Sequence, residues 1–304
     1  MINTTTDTAV IHLVRKLNGV EPFQIFVKSY LRFDAGMSHD LILVLKGFEE
    51  NVLEVEYQNL IGLLNPIVIY VADKGFDIAS YFEVYKKYTL RYRYFCFLNS
   101  YSEILDHHWL KKMYCHIVRE EVGLVGATGS MESHASEKIP WMFWIFFVNI
   151  IRHFRVHVNK PFKERISLGI SGAWAHSHFF QVFFDSIYLK LNFRKYPNYH
   201  IRTNSFVISS DHMAKLSSPK IRTKMDAYMF ESGRHGLTNQ ILKCHLKVLI
   251  VGRDGLGYEP KDWNKSGTFW QSDQENLLVA DNQTRLYRSS NSSQKMALSK
   301  KAWG

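Results

Sequence analysis

Side chains suited to a phosphorylated ligand follow the first four strands that the sequence predicts. Cations and glycine-flanked backbone amides bind pyrophosphate at such positions, while carboxylates bind ribose hydroxyls or the edge of a base. Hydroxyl and amide side chains complete such a site as hydrogen-bond partners. The predicted ligand-binding positions here are Arg15, Asn18, Gly19, Lys46, Asp73, Asp77, Asn99, Ser100 and Ser102.

These positions are expected to share one edge of a sheet, because strands and helices alternate through the first half of the chain. Continuous apolar strands separated by helices are typical of a parallel sheet covered on both faces. Ligands of such sheets bind at the carboxyl ends of the strands. The sequence therefore predicts an α/β fold with a Rossmann-like, mostly parallel sheet. The strands are predicted at Val10–Leu17, Asp40–Leu45, Pro66–Val71, Tyr94–Leu98 and Val122–Ala127, and the helices at Glu21–Phe33, Val52–Leu64, Ile78–Tyr88 and near His107–Arg119.

The second half is less regular. A strand is expected over Ile201–Ile208, followed by a short helix that Asp211 caps. Residues 288–304 are mostly polar with almost nothing to bury, so a disordered tail is expected there. The other predicted elements are helices over Phe179–Leu191 and Glu231–Cys244 and a strand over His245–Val251.

Composition and charge limit the classes of partner that this chain is expected to bind. The chain carries a net charge of +10, spread along its length, which suits a di-anionic nucleotide or a membrane surface. No nucleic-acid-binding signature, GxGxxG or P-loop motif is present, so nucleic acid is not an expected partner. Three scattered cysteines and a polar N-terminus predict a cytoplasmic protein. The aromatic run at 141–158 is either a buried helix or an interfacial element that contacts a membrane peripherally, at its inner face.

Three stretches of the sequence resemble the family 2 type of GT-A glycosyltransferases. The segment Asp73–Ile78 (DKGFDI) is similar to that family's NxGxDI, whose aspartate faces the nucleotide. Phe97–Ser102 stands where these enzymes carry a DxD or NDS motif. Arg202–Phe206, followed by Met229–Gly233, resembles the acceptor-side strand and the acidic start of a helix. The resemblance covers roughly residues 10–285, and within the group it is to bacterial polysaccharide enzymes related to the rhamnan synthesis F family.

The resemblance implies a GT-A domain over residues 1–287, with a nucleotide-binding half (10–130) and an irregular acceptor half (131–287). It implies inverting transfer of a hexosyl or deoxyhexosyl unit from a nucleotide-sugar donor to a glycan or lipid-linked acceptor, in surface polysaccharide synthesis. Two alternatives stay open at this point. One is a non-catalytic, degenerate GT-A module in polysaccharide assembly, and the other is a nucleotide-dependent transferase such as a nucleotidyltransferase.

The metal-binding motif of the resembled family is altered here. A DxD binds the divalent metal that neutralises the donor pyrophosphate. Ser100 and Ser102 occupy the positions of its two aspartates, and neutral hydroxyls are poor sole ligands for Mn²⁺ or Mg²⁺. Metal dependence is therefore expected to be weak or absent, with Glu103 as the one nearby carboxylate. The residues expected to stabilise the leaving diphosphate instead are Arg15, Lys46 and Arg234.

Inverting transfer needs a carboxylate that takes the proton of the acceptor hydroxyl. Glu231 is predicted as this base, because Glu-Ser-Gly-Arg is expected to begin a helix after the acceptor-side strand, and Asp226 is the reserve. The alternative for Glu231 is a helix-start carboxylate stabilised by the macrodipole. The aromatic and polar stretch from Asp254 to Arg285 is interpreted either as an acceptor wall or lid, or as a structural wrap over the sheet.

We expect Asp77→Asn to weaken binding of a nucleoside diphosphate without unfolding the protein, because the carboxylate follows the third strand and lies at the predicted ligand edge. Calorimetric titration and a melting curve on the same preparation check this. Unchanged nucleotide affinity in a folded variant would remove Asp77 from the site.

Overall fold

An eight-stranded sheet forms the centre of the computed structural model, which describes residues 6–50, 52–136 and 186–304. The strand order is β11-β10-β6-β9-β4-β1-β2-β3. β9 runs antiparallel to both of its neighbours and β11 runs antiparallel to β10, while the other pairs are parallel. The strands are Thr8–Arg15 (β1), Asp40–Lys46 (β2), Ile67–Val71 (β3), Tyr94–Leu98 (β4), Glu103–Ile104 (β5), Val122–Gly126 (β6), Gly129–Ser130 (β7), His200–Ile201 (β8), Ser205–Ser209 (β9), Lys247–Val251 (β10), Gly257–Tyr258 (β11) and Val279–Ala280 (β12).

Helices cover both faces of this sheet. The labelled helices are Glu21–Arg32 (α1), Val55–Gly62 (α2), Phe76–Tyr88 (α3), Trp109–Ile117 (α4), Ser210–Lys215 (α5), Lys224–Ser232 (α6), Leu237–Lys243 (α7), Asn282–Ser289 (α8) and Ser292–Trp303 (α9). Val10 and Val14 of β1 pack in one core cluster with α1, α2 and α4. Ile11 and Leu13 pack in the other with α3, α5, α6 and α7. Burial on both faces explains why the strands are mostly apolar. The predicted α/β class with a mostly parallel sheet is thus confirmed.

The chain divides into two compact units. Residues 1–132 together with 198–304 form the first unit, and Ser133–Pro197 forms the second. In the second unit His134 packs edge-on against Phe193 at 4.9 Å between ring centroids, and residues 186–192 are helical. The aromatic run at 141–158 and most of the predicted helix Phe179–Leu191 lie outside the described residues. Within the described ranges, no helix is both long and apolar enough to cross a membrane.

Three predictions for the second half are wrong. The strand expected over Ile201–Ile208 is broken into β8 and β9 by residues 202–204. The cap of α5 is not Asp211, since the hydroxyl of Ser209 accepts the N–H of His212 at 3.1 Å. The helix expected over Glu231–Cys244 is two helices, α6 and α7. α6 ends at Gly233, where a Cβ atom would lie 2.4 Å from the carbonyl oxygen of Met229.

The tail predicted to be disordered over residues 288–304 is instead helical in α8 and α9. Helix caps explain how such polar segments begin. Asp281 accepts the N–H of Thr284 at 2.9 Å at the start of α8, and Asn291 caps α9 in the same way. Ala302 is buried in a small cluster with Phe269, Trp270 and Tyr287. Local capping and tertiary packing together overcome the low hydrophobicity that predicted disorder.

We expect Trp303→Ala to lower the free energy of unfolding by about 1–3 kcal/mol. Its indole N–H donates to the carbonyl of Phe269 at 2.7 Å and its ring packs on the C-terminal cluster. Lys300→Ala is the matched control, because that exposed side chain belongs to the same helix. Urea unfolding of both variants measures the difference. Equal stabilities would show that the C-terminal helix does not contribute to the fold.

Candidate functional site at the carboxyl edge of the sheet

A groove of about 480 Å³ opens at the carboxyl ends of β1 and β3. Three cations border it against one carboxylate, which makes it a site for an anionic ligand. Two apolar side chains complete the lining. The groove is lined by Arg15, Asp73, Lys74, Gly75, Phe76, Ile221 and Arg222.

Arg15 and Asp73 form a two-pronged ion pair in this groove. The Arg15 Nε lies 2.9 Å from Asp73 Oδ1, and its Nη2 lies 3.0 Å from Oδ2. Hydrogen bonding to Asp73 raises the pKa of Arg15, so the guanidinium stays charged at every relevant pH. The pairing orients Arg15 at the groove, and Lys74 and Arg222 add two cations that this carboxylate does not neutralise.

The loop between β3 and α3 adopts a left-handed backbone conformation that non-glycine residues rarely adopt. Gly75 has φ +67°, and a Cβ atom there would lie 2.3 Å from the Cβ of Ala79, so only glycine fits. Phe76 follows with φ +51°, a left-handed conformation that costs a non-glycine residue about 1–3 kcal/mol. Even so, its ring is 40% exposed and lines the groove.

Lys46 holds this loop and does not face the groove. Its side chain is 1% exposed. The ammonium donates to the carbonyl of Lys74 at 3.0 Å, to the carbonyl of Phe76 and to the hydroxyl of Ser80 at 3.3 Å. Burial lowers the pKa of Lys46, while the carboxylate of Asp77 opposes that change. The predicted role of Lys46 as a direct phosphate contact is therefore corrected: the residue positions the loop that borders the groove.

Asp77 lies in the first turn of α3 and keeps a carboxylate without a hydrogen bond from any described residue. Burial raises the pKa of Asp77, and the cations Lys46 and Arg15 oppose this rise. The like charge of Glu231 also raises that pKa. The two segments meet through Tyr81 of α3, whose hydroxyl donates to the carbonyl of Thr203 at 3.4 Å, while the backbone N–H of Thr203 binds Glu231. The structure thus brings together two residues 154 positions apart that the sequence proposed separately.

Glu231 lies in the last turn of α6, not at the start of a helix. The predicted macrodipole stabilisation is therefore wrong, because a carboxylate is unfavourable at a helix C-terminus. Hydrogen bonds from the backbone N–H of Thr203 (2.7 Å) and from the Thr203 hydroxyl hold its Oε2. Oε1 accepts no hydrogen bond from the described residues, which leaves one oxygen of an oriented carboxylate available as a proton acceptor.

The other two candidates from this part of the chain, Asp226 and Arg234, lie at opposite ends of α6. The Asp226 carboxylate accepts the backbone N–H groups of Arg222 (2.9 Å) and Thr223 (2.8 Å) as part of a capping box on α6. These hydrogen bonds lower the pKa of Asp226, which makes it a poor base and gives it a structural role. Arg234 is exposed in the turn between α6 and α7.

The loop after β4 is fixed by its own hydrogen bonds. Asn18 donates to the hydroxyl of Ser100 at 2.8 Å, and Asn99 Oδ1 accepts the N–H of Tyr101 at 3.1 Å. Ser102 is fully buried and donates to Asn99 Oδ1 at 3.1 Å. This set of hydroxyls and amides does not fit a divalent metal, which prefers carboxylates. Across residues 6–50, 52–136 and 186–304, no three His, Cys, Asp or Glu side chains cluster in a way that would hold one.

The remaining predicted positions contribute to the local structure. Gly19 closes a short 3-10 turn after β1 with φ +72°, and nothing lies within 4 Å of a Cβ built there. Trp263, Phe269 and Trp270 of the stretch from Asp254 to Arg285 are all buried, which favours the interpretation of this stretch as a structural wrap.

Two of the residues that line the groove, Ile221 and Arg222, carry no sequence signal. Lys74, Phe76, Ile221 and Arg222 meet in the groove, although the last two follow a polar loop that no pattern connects with β3. Thr203 is identified only by its contact with Glu231.

The chain matches no family model and no curated protein. Similar solved structures include core-mannan synthase A (CmsA/Ktr4) from Aspergillus fumigatus in its Mn/GDP form, at 11% identity and a TM-score of 0.36 over 75% of this chain and 64% of that one. S. aureus TarS is 14% identical, with a TM-score of 0.32 over 44% and 23% of the two chains. GalNAc-T7 with UDP, GalNAc and Mn²⁺ is 12% identical, with a TM-score of 0.32 over 41% and 23%.

This chain thus spans 64% of the first of these proteins and 23% of each of the other two. Likenesses at these TM-scores decide neither ligand nor activity. What the fold and the site define is an α/β protein with a groove bordered by three cations at the carboxyl edge of its sheet.

We expect binding of UDP or GDP to change less than tenfold, about 1.4 kcal/mol, between EDTA and added manganese. The loop that would carry the metal ligands offers engaged hydroxyls and amides, and the groove supplies its own cations. Calorimetric titration under both conditions measures the ratio. Binding that requires manganese would show that Asp77, Glu231 or another carboxylate ligates a metal.

Proposed function

We propose that the chain is a nucleotide-sugar-dependent glycosyltransferase of the GT-A type. The observation that carries this proposal is that the cationic groove adjoins the start of α3, which carries Asp77 and contacts Thr203, the residue that orients Glu231. A nucleoside diphosphate sugar needs cations for its two phosphates and carboxylates for its hydroxyl groups and for the acceptor proton. The resemblance of Asp73–Ile78 to the NxGxDI segment agrees with this assignment.

The donor diphosphate is assigned to Arg15, Lys74 and Arg222. Arg15 presents a guanidinium whose orientation Asp73 fixes, and the two other cations have no carboxylate partner in the groove. Such charges stabilise the negative charge that develops on the leaving phosphate oxygen. In this role they take the place of a bound metal ion.

Glu231 is assigned as the base of an inverting transfer. Its free oxygen takes the proton from the acceptor hydroxyl as that oxygen forms a bond to the anomeric carbon. The bond from the anomeric carbon to the phosphate oxygen breaks, and the diphosphate leaves with the electron pair. Thr203 keeps the carboxylate in one orientation throughout. Asp77 is assigned to donor hydroxyl groups, since its own carboxylate has no other hydrogen bond from the described residues.

The transferred unit is proposed to be a hexose or deoxyhexose, and the acceptor a glycan or lipid-linked saccharide of surface polysaccharide synthesis. The net charge of +10 supports a peripheral contact with anionic lipid, and the activity is proposed to occur at the inner face of the membrane. A membrane-bound acceptor would be presented to the enzyme there.

A thermal-shift screen of UDP, GDP, dTDP and CMP compounds, with and without manganese, tests the proposal. A ligand at about 100 times its dissociation constant should stabilise the fold by about 2.7 kcal/mol. The compound that does so is then tried as a sugar donor. Binding without transfer or hydrolysis would favour the non-catalytic module, whereas no stabilisation by any compound would contradict the proposal.

We expect Glu231→Gln to reduce sugar transfer by about 10²–10⁴-fold. The amide oxygen still accepts the hydrogen bonds of Thr203, so donor affinity and melting temperature should stay near those of the wild type. Transfer rate, donor affinity and melting temperature are measured on one preparation.

Glu120→Gln is the matched control, because it removes the same charge from an exposed position. Turnover above about a tenth of wild type in the Glu231 variant would contradict the role as base. A large loss of stability with retained turnover would assign Glu231 to the fold alone.

A further inference from the structure

Phe76 is an exposed aromatic residue in a groove lined mainly by charged side chains. Its ring is 40% exposed and makes no aromatic or cation–π contact with any described residue. Of the side chains that line the groove, only Phe76 and Ile221 are large and apolar. Ile221 is partly buried against the core, while Phe76 is not part of either core cluster. Core packing therefore does not explain this ring.

The backbone at Phe76 is strained, and other residues maintain that strain. Phe76 has φ +51° directly after Gly75 at φ +67°. The buried ammonium of Lys46 binds the carbonyls on both sides of Gly75, those of Lys74 and Phe76. Bulky residues in left-handed conformations persist where the surroundings determine them, and they concentrate at ligand-binding sites. The fold thus keeps an aromatic ring at the groove against the preference of its own backbone.

We propose that Phe76 is the stacking platform for the nucleobase of the donor, an inference that rests on the proposed function. The groove combines three cations with one exposed aromatic face. A nucleoside diphosphate combines two phosphates with one flat ring, so the ligand and the groove match in both parts. Stacking on an aromatic side chain accepts any base. The platform therefore supplies affinity, while discrimination between bases depends on polar groups at the edge of the base.

The test compares Phe76→Ala, Phe76→Gly and Phe76→Tyr by calorimetric titration with UDP, GDP and inorganic pyrophosphate. Loss of stacking should weaken nucleotide binding by roughly 5- to 150-fold in the Ala and Gly variants. Pyrophosphate binding should stay unchanged, since it uses only the cations, and Phe76→Tyr should bind nucleotides as the wild type does. Leu90→Ala is the control for removal of a fully exposed apolar side chain.

Melting temperature provides a second readout that separates ligand binding from structure. Phe76→Gly should melt at or above the wild-type temperature, because glycine adopts positive φ without strain. Equal weakening of nucleotide and pyrophosphate binding would show that Phe76 only shapes the loop and would overturn the proposal. Wild-type nucleotide affinity in Phe76→Ala would overturn it as well. In both cases the proposed function stands, whereas a wild-type protein that binds no nucleoside diphosphate would overturn both.

Discussion

The buried ammonium of Lys46 is the interaction on which the groove depends. A cation removed from water is unfavourable by several kcal/mol unless polar partners surround it. Here two backbone carbonyls and the hydroxyl of Ser80 surround it, and the carboxylates of Asp77 and Asp73 add a favourable field. Because Lys46 ends β2 while its partners belong to the β3–α3 loop and the first turns of α3, the contact ties the loop to the sheet. This contact between Lys46 and the loop fixes the positions of Asp73, Phe76 and Asp77.

Charge is separated across the site. Asp73 is paired with Arg15, so the carboxylate that faces the groove orients a cation and leaves Lys74 and Arg222 unneutralised. Asp77 and Glu231, by contrast, are carboxylates without an ion-pair partner among the described residues, and the like charge of Glu231 adds to the raised pKa of Asp77. A ligand with negative phosphates and neutral hydroxyl groups complements both regions: its phosphates match the cations of the groove, and its hydroxyl groups can donate to the carboxylates. A fully anionic ligand would satisfy only the groove, because the carboxylate pair would repel it.

The C-terminal region supports the candidate base through a short chain of contacts. Asp281 caps α8 and also forms an ion pair with Arg202 at 2.8 Å, with both side chains largely buried. The guanidinium of Arg202 stacks over the ring of Phe269 at 3.9 Å. Arg202 immediately precedes Thr203, whose backbone N–H binds Glu231. The wrap over residues 254–285 therefore acts on the site indirectly, by fixing the segment that orients a carboxylate.

The sequence by itself determined the α/β class and the strands β1 to β4 and β6, within one or two residues of their ends. Apolar runs that are buried on both faces have no other stable arrangement, and short-range patterns describe them fully. The sequence also placed Arg15, Asp73 and Asp77 at the carboxyl edge of the sheet, because topology alone fixes where parallel strands end.

Only the tertiary structure decided the rest. It showed that Lys46 lies beneath the groove, that Glu231 ends a helix, and that β9 lies antiparallel between β4 and β6. It also showed that the polar C-terminus folds, since Ala302 and Trp303 pack on a cluster contributed by distant residues. These features depend on contacts between segments far apart in the chain. The local periodicity of hydrophobic residues cannot predict such contacts. The physical reason is that a buried charge or a capped polar helix is stable only through its partners, and the fold selects those partners.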